Sequence, residues 1–131
     1  MLRRFIPALL LATLGACGGV VDPSKNQTST FTDTVPLAGA GPVHTFGVSK
    51  TGEISAIVTS LTPTVQSGTL FGVAYGQFIS NTCSLLSLNQ FTVVGGTAIS
   101  GPITPGTYCI QIIDEGFFKV NEQYTLTVSH P

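Results

Sequence analysis

Along most of this chain apolar and polar residues alternate with a period of two. In EQYTLTVSH, residues 122–130, Tyr124, Leu126 and Val128 fall on one side while Thr125, Thr127 and Ser129 fall on the other. This is the pattern of a strand with one wet face. In GTYCIQIID, residues 106–114, Tyr108, Ile110 and Ile112 alternate with Cys109, Gln111 and Ile113, which predicts Cys109 on the less buried side. Similar runs occur at FTDTVPL (31–37), VHTFGVS (43–49), EISAIVTSL (53–61), GTLFGVAYG (68–76), QFTVVG (90–95) and TAISGPI (97–103). Turn formers separate them: Gly39 to Pro42, Thr51-Gly52, Pro63, Gly95-Gly96 and Pro105-Gly106. Beyond the first sixteen residues no segment carries the i, i+3, i+4, i+7 apolar stripe of a helix over more than a turn. Seven or eight short antiparallel strands at this spacing predict an all-β sandwich. About a hundred residues suffice for one hydrophobic core and not for two.

The amino end follows a different pattern. MLRRFIPALLLATLGAC places Arg3 and Arg4 before an apolar run from Phe5 to Leu14, followed by small residues. That is the charge, core and cleavage layout of an export signal. The run is about half the ~20 residues that a membrane-spanning helix needs, so a helical signal that is cleaved is expected, not a span. Leu14-Gly15-Ala16-Cys17 resembles the lipobox of bacterial lipoproteins. The resemblance implies a signal peptide over residues 1–16, cut just before Cys17, with the Cys17 sulfur and amine acylated. Several acyl chains on one cysteine would hold a soluble domain on a membrane, whereas one chain anchors only marginally. Gly18, not Asp, follows the cysteine, and by the enterobacterial sorting rule this implies an outer-membrane passenger. The expected location is therefore the cell envelope, periplasmic or surface-exposed, with membrane lipid as the partner of Cys17.

Cleavage changes the charge and the cysteine count. Lys25, Lys50 and Lys119 would remain against Asp22, Asp33, Glu53, Asp114, Glu115 and Glu122, a formal charge of −3 in place of −1 for the whole chain. No basic patch is left to neutralise phosphates, so nucleic acid is not an expected partner. With Cys17 lipidated, Cys83 and Cys109 are the two thiols left, and in an oxidising compartment such a pair reads as one disulfide. Two isolated cysteines, with His44 and His130 showing no ligand spacing, do not make a metal site.

Residues 17–30 read as the lipidated cysteine and a flexible tether, since GGVVDPSKNQTST has no hydrophobic period and is rich in Gly, Pro, Ser, Thr and Asn. Asn26-Gln27-Thr28 matches a glycosylation sequon, a pattern short enough to arise by accident. The domain proper is expected at 31–131. Its ordered segments TFGVSKTGEISAIVTSL, a loop cysteine (Cys83), ITPGTYCIQIIDEG and YTLTVSHP resemble the bacterial pre-peptidase C-terminal domain. That resemblance implies a single jelly-roll-like β-sandwich. It implies no catalysis, because in multidomain relatives the peptidase is a separate upstream unit.

The residues themselves offer little catalytic chemistry. There is no G-x-S-x-G nucleophile elbow. His44 shares a face with Phe46 and Val48 and reads as a hydrogen-bonded structural histidine, and His130, next to last, is expected to fray. Asp114-Glu115-Gly116 reads as a turn whose acids cap backbone amides, with a weak Ca²⁺ site as the functional alternative. No metal or other cofactor is expected. Phe117 and Phe118 in that turn, together with Tyr75 and Phe78 of YGQF, form the candidate contact surface, with closure of the two core ends as the competing role. The expected function is a non-catalytic binding or adhesion module whose ligand is an envelope protein or glycan. A structural or assembly subunit of an outer-membrane complex is the alternative, and a small hydrolase ranks third. Thr-rich strands with few charges also leave sheet edges open to pairing, with only Pro36 visibly blunting one.

Overall fold

The computed structural model describes residues 22–131; the signal segment and Cys17 lie outside the described residues. After a 3₁₀ turn at Pro23–Lys25 the chain forms eight strands. They are β1 (Gln27–Val35), β2 (His44–Val48), β3 (Gly52–Thr62), β4 (Phe71–Ile79), β5 (Thr82–Thr92), β6 (Thr97–Ile103), β7 (Gly106–Ile113) and β8 (Glu122–His130). They build two four-stranded antiparallel sheets, ordered β1-β8-β3-β6 and β2-β7-β4-β5. Every connection except the β4–β5 hairpin passes from one sheet to the other, which is the connectivity of a jelly roll.

The alternating pattern does what period two requires. Tyr124, Leu126 and Val128 of β8 meet Tyr108, Ile110 and Ile112 of β7 in one core, joined by Phe46 and Val48, by Ile54, Ala56 and Val58, and by Phe71, Val73 and Tyr75. In β3 a register shift between Val58 and Ser60 lets Val58 and Leu61 both face inward although they are three residues apart. A bulge of this kind inserts one residue and resets the alternation.

Three boundaries differ from expectation. Gln27 to Thr30, which carry no alternation of their own, begin β1 and pair with β8 from Gln27↔His130 onward. The tether therefore ends by Asn26, whose side-chain amide donates to the Glu53 carbonyl (2.9 Å) and to Ser129 Oγ (3.1 Å). The sequon asparagine is thus occupied in fastening the chain to the sandwich. His130 does not fray: it is buried, its Nε2 lies 2.9 Å from Ser29 Oγ, and its ring sits 5.1 Å from that of Phe46.

The third difference is at β5. Cys83 lies in this strand, not in a loop, and is bonded to Cys109 of β7. Both strands flank β4, and next-nearest strands in a flat sheet are about 10 Å apart, yet the two Cα atoms are 5.8 Å apart. The start of β5 is therefore folded over the outer face of β4 toward β7. This corrects the expected exposure of Cys109: it does point away from the core cluster, but the fold-over leaves it 0% exposed. Ala74, also outside the core cluster, is buried as well.

Candidate binding surface at one end of the sandwich

Strand direction sorts the connections into two ends. The loops at 36–43, 63–70, 93–96 and 114–121 gather at one. The β4–β5 turn, the short links at 49–51 and 104–105, and the entering segment 22–26 lie at the other, beside Pro131.

The loop end is organised by Asp114. Its Oδ1 accepts hydrogen bonds from the amides of Gly116 (2.9 Å), Phe117 (3.0 Å) and Phe118 (3.2 Å), and its Oδ2 accepts from Ala38 (2.6 Å). Burial pushes the carboxyl pKa up, but the four amide donors outweigh it and hold the pKa below the ordinary value. The expected amide cap is thus present, and it ties two loops together. Ala38 sits at φ 54°, in the left-handed region that costs an alanine about 1 kcal/mol, and its bond to Asp114 holds it there. Asn121 reinforces the tie by accepting from the Leu37 amide (2.8 Å). Both Asp114 oxygens are engaged by amides. Among the described residues no three His, Cys, Asp or Glu side chains gather as a metal site.

Two clefts flank the 63–70 loop. One, of about 390 Å³, runs between that loop, Thr59 to Leu61, and Val93-Val94. The other, of about 270 Å³, opens between the same loop and Phe117 to Val120. Thr64, Val65, Gln66 and Thr69 line both. Around them Leu37, Val94, Phe117 and Val120 are exposed, so the end presents apolar side chains beside threonine and glutamine. Glu122 closes the second cleft from below. It is 3% exposed, its Oε2 has no hydrogen-bond partner, and burial raises its pKa.

The four aromatic residues singled out from the sequence do not share a surface. Phe117, 45% exposed, stands on the second cleft. Its neighbour Phe118, 4% exposed, turns inward and packs 6.0 Å from Phe71, as successive side chains in extended chain must diverge. Tyr75 is also buried, stacked 5.7 Å from Tyr108. Phe78 is half-buried at the far end of β4, opposite Cys83. The candidate surface at the loop end therefore keeps Phe117, loses Phe118 and Tyr75 to the core and Phe78 to the opposite end, and takes in Val120, Leu37 and the 63–70 loop as further candidates. Those additions carry no sequence signal, because isolated apolar residues in loops look the same whether a fold covers them or not.

The histidines are structural in their geometry. His44 stacks on Phe31 (4.7 Å), and its Nε2 lies 2.6 Å from the Tyr124 hydroxyl. Burial lowers the His44 pKa despite the nearby Asp33, and burial together with Asp33 pushes that of Tyr124 up to about 12. Burial thus favours the uncharged forms of both partners in this hydrogen bond. His130 faces Ser29 with one ring nitrogen and an oxygen of Pro131, at 3.4 Å, with the other. Compared with protein-family models the chain matches none, and no curated protein matches it.

Proposed function

We propose that this protein is a lipid-anchored component of the bacterial cell envelope, acylated at Cys17 and displaying its jelly roll as a non-catalytic binding module. The observation that carries the reading is the placement of the two ends. The chain enters the sandwich at Gln27, beside Pro131, and a strand of nine residues, about 30 Å long, separates that entry from the loop end. An anchor on Cys17 would thus turn the clefts and Phe117 away from the membrane. Lys25 and Lys50 line a small cleft at the tether end, with Asp22 and Pro131, where cations suit anionic headgroups. The lipobox and the likeness to the pre-peptidase C-terminal domain support the same reading, and Gly18 favours the outer membrane. The ligand is an envelope protein or glycan that meets the apolar and hydroxyl-bearing rim of the loop end.

A photoreactive residue placed at Phe117 in intact cells tests this. Adducts should form there with a protein or glycan, while the same residue at Thr45, exposed on β2, should give none. One envelope protein captured in fixed stoichiometry would favour the assembly role. No adduct from Phe117, or equal capture from Thr45, would remove the loop end as a contact surface.

A further inference from the structure

Glu122 stands where the sandwich requires an apolar side chain. It opens β8 in the inward-facing series that continues with Tyr124, Leu126 and Val128, and it pairs with Val35, which is 0% exposed. A carboxyl group taken out of water in this way is costly to keep unless something donates to it. Asp114, in the preceding loop, has four amide donors, whereas Glu122 Oε2 has none. Lys119, exposed on the rim of the same cleft, does not hydrogen-bond to that oxygen. A buried polar atom without a partner is rare in a folded protein and needs a reason. Packing gives none, since an apolar residue of similar size would fill the position without the desolvation cost.

The reason lies in what Glu122 faces. It forms the floor of the cleft of about 270 Å³ under the 63–70 loop, whose walls include Val65, Phe117, Phe118 and Val120. A ligand entering there meets apolar walls, the exposed ring of Phe117 and, at the floor, an acceptor that lacks a donor. The charge around it is mainly of one sign: residues 114–122 hold three of the six acids of the described domain and one lysine. Asp114 is occupied by amides and Glu115 does not line the cleft, so Glu122 is the acid that a ligand meets. A hydroxyl would satisfy one lone pair and leave the negative charge uncompensated. An ammonium group does both, an aromatic face attracts it, and a methylene stem suits the apolar walls.

We infer that this cleft receives a lysine side chain of a partner protein, its stem between Val65 and the two phenylalanines and its ammonium group donating to Glu122. The inference rests on the loop end being the binding surface and narrows its ligand to a protein. The cleft is smaller than the roughly 300 Å³ at which sites for drug-sized ligands begin, so it suits one side chain better than an oligosaccharide. An ethanolamine headgroup would also carry an amine, but its phosphate would come beside Asp114 and Glu115, where like charge opposes it.

The test is ligand-observed NMR on the full-length protein in an uncharged detergent at neutral pH, with N-acetyl-lysine N-methylamide as the probe. Wild type should bind it with a dissociation constant of about 1–10 mM, the weak range open to a single side chain. The norleucine analogue, which keeps the stem and lacks the ammonium group, should bind at least about tenfold more weakly, and phosphorylethanolamine likewise. Glu122→Leu should lose the same factor yet melt no lower than wild type, because the fold no longer holds an uncompensated carboxylate. Glu122→Gln should lose that factor too, so the outcome does not hang on one variant folding. Lys119→Met should keep the affinity and melt within about 3 °C of wild type. No binding of the lysine probe, or equally tight binding of either control compound, would overturn the inference. So would unchanged affinity in both Glu122 variants, or a larger fall in melting for Lys119→Met, which would make Lys119 the partner of Glu122. The loop end is judged separately: photo-adducts at Phe117 that are glycan, or that persist in Glu122→Leu, leave it standing as a contact surface and remove the lysine.

Discussion

Gly76→Ala should melt at least about 15 °C below wild type, a loss of about 4 kcal/mol. The position is the crossing point of the fold-over. Gly76 pairs with Cys109 of β7 on one side and Leu85 of β5 on the other, and the register slips between Tyr75 and Gly76. A methyl group here would strike the carbonyl oxygen of Ser84 and lie within 2.7 Å of Leu85 Cα. Both obstacles are backbone, so no rotamer change relieves them. The β5 strand must lift off β4, and the disulfide resists because it ties Cys83 to Cys109 at the same place. Gly47→Ala is the matched control. Gly47 lies in β2 with nothing within 4 Å of the added atom, so that variant should stay within about 0.5 kcal/mol of wild type. Equal melting of the two variants would mean that β5 does not fold over β4.

Asp114→Asn should cost about 3 kcal/mol at neutral pH, or roughly 10 °C. One carboxylate there accepts four amide hydrogen bonds, and an amide side chain removes both the charge and one acceptor. The 36–43 and 114–121 loops would then be held by the Leu37–Asn121 bond and by the Asp114 amide donating to the Gly39 carbonyl (2.8 Å), and Ala38 would lose its support in a left-handed conformation. The pH dependence has a defined sign. Because the folded pKa lies below the ordinary 3.8, the Asp114 contribution is present above that value and is lost as pH falls through the folded pKa. Melting curves of wild type and variant, far apart at pH 7, should therefore converge in acid. Glu122 works the other way and higher up. Its raised folded pKa gives a contribution fully present below 4.5 and lost as pH rises through the folded value, so it does not mask the acid limb of Asp114. A constant gap at every pH would show that the carboxylate charge plays no part in holding the loops.

Strands with one buried face were legible because burial imposes alternation. The runs at 97–103 and 122–130 match β6 and β8 residue for residue. β5 was not, for the opposite reason. Ser-Leu-Leu-Ser-Leu at 84–88 does not alternate because both faces of that strand are exposed at the sheet edge, and nothing in the fold requires it to. Its hairpin turn hides too. Ser80 and Asn81 both adopt positive φ, 51° and 59°, the type I′ geometry usually announced by Asn-Gly. The burial of Cys109 followed from the same omission, since the outer face of β7 is covered only where β5 folds back. At the loop end, the Asp114 cap could be read from an acid beside a glycine in a turn, and the divergence of Phe117 and Phe118 from simple backbone geometry. The clefts could not, because they arise where four loops distant in sequence converge. Nor could the fate of Tyr75 and Phe78, which share a strand but lie three residues apart on either side of the Gly76 crossing.

The measurement that bears most directly on the proposed anchoring is the intact mass of the protein extracted from membranes, before and after reduction and thiol alkylation. The mass should equal residues 17–131 with one disulfide plus acyl groups, and two cysteines should become alkylated only after reduction. A soluble product without acyl groups, or Cys17 reacting freely as a thiol, would contradict the lipid anchor and with it the outward display of the loop end.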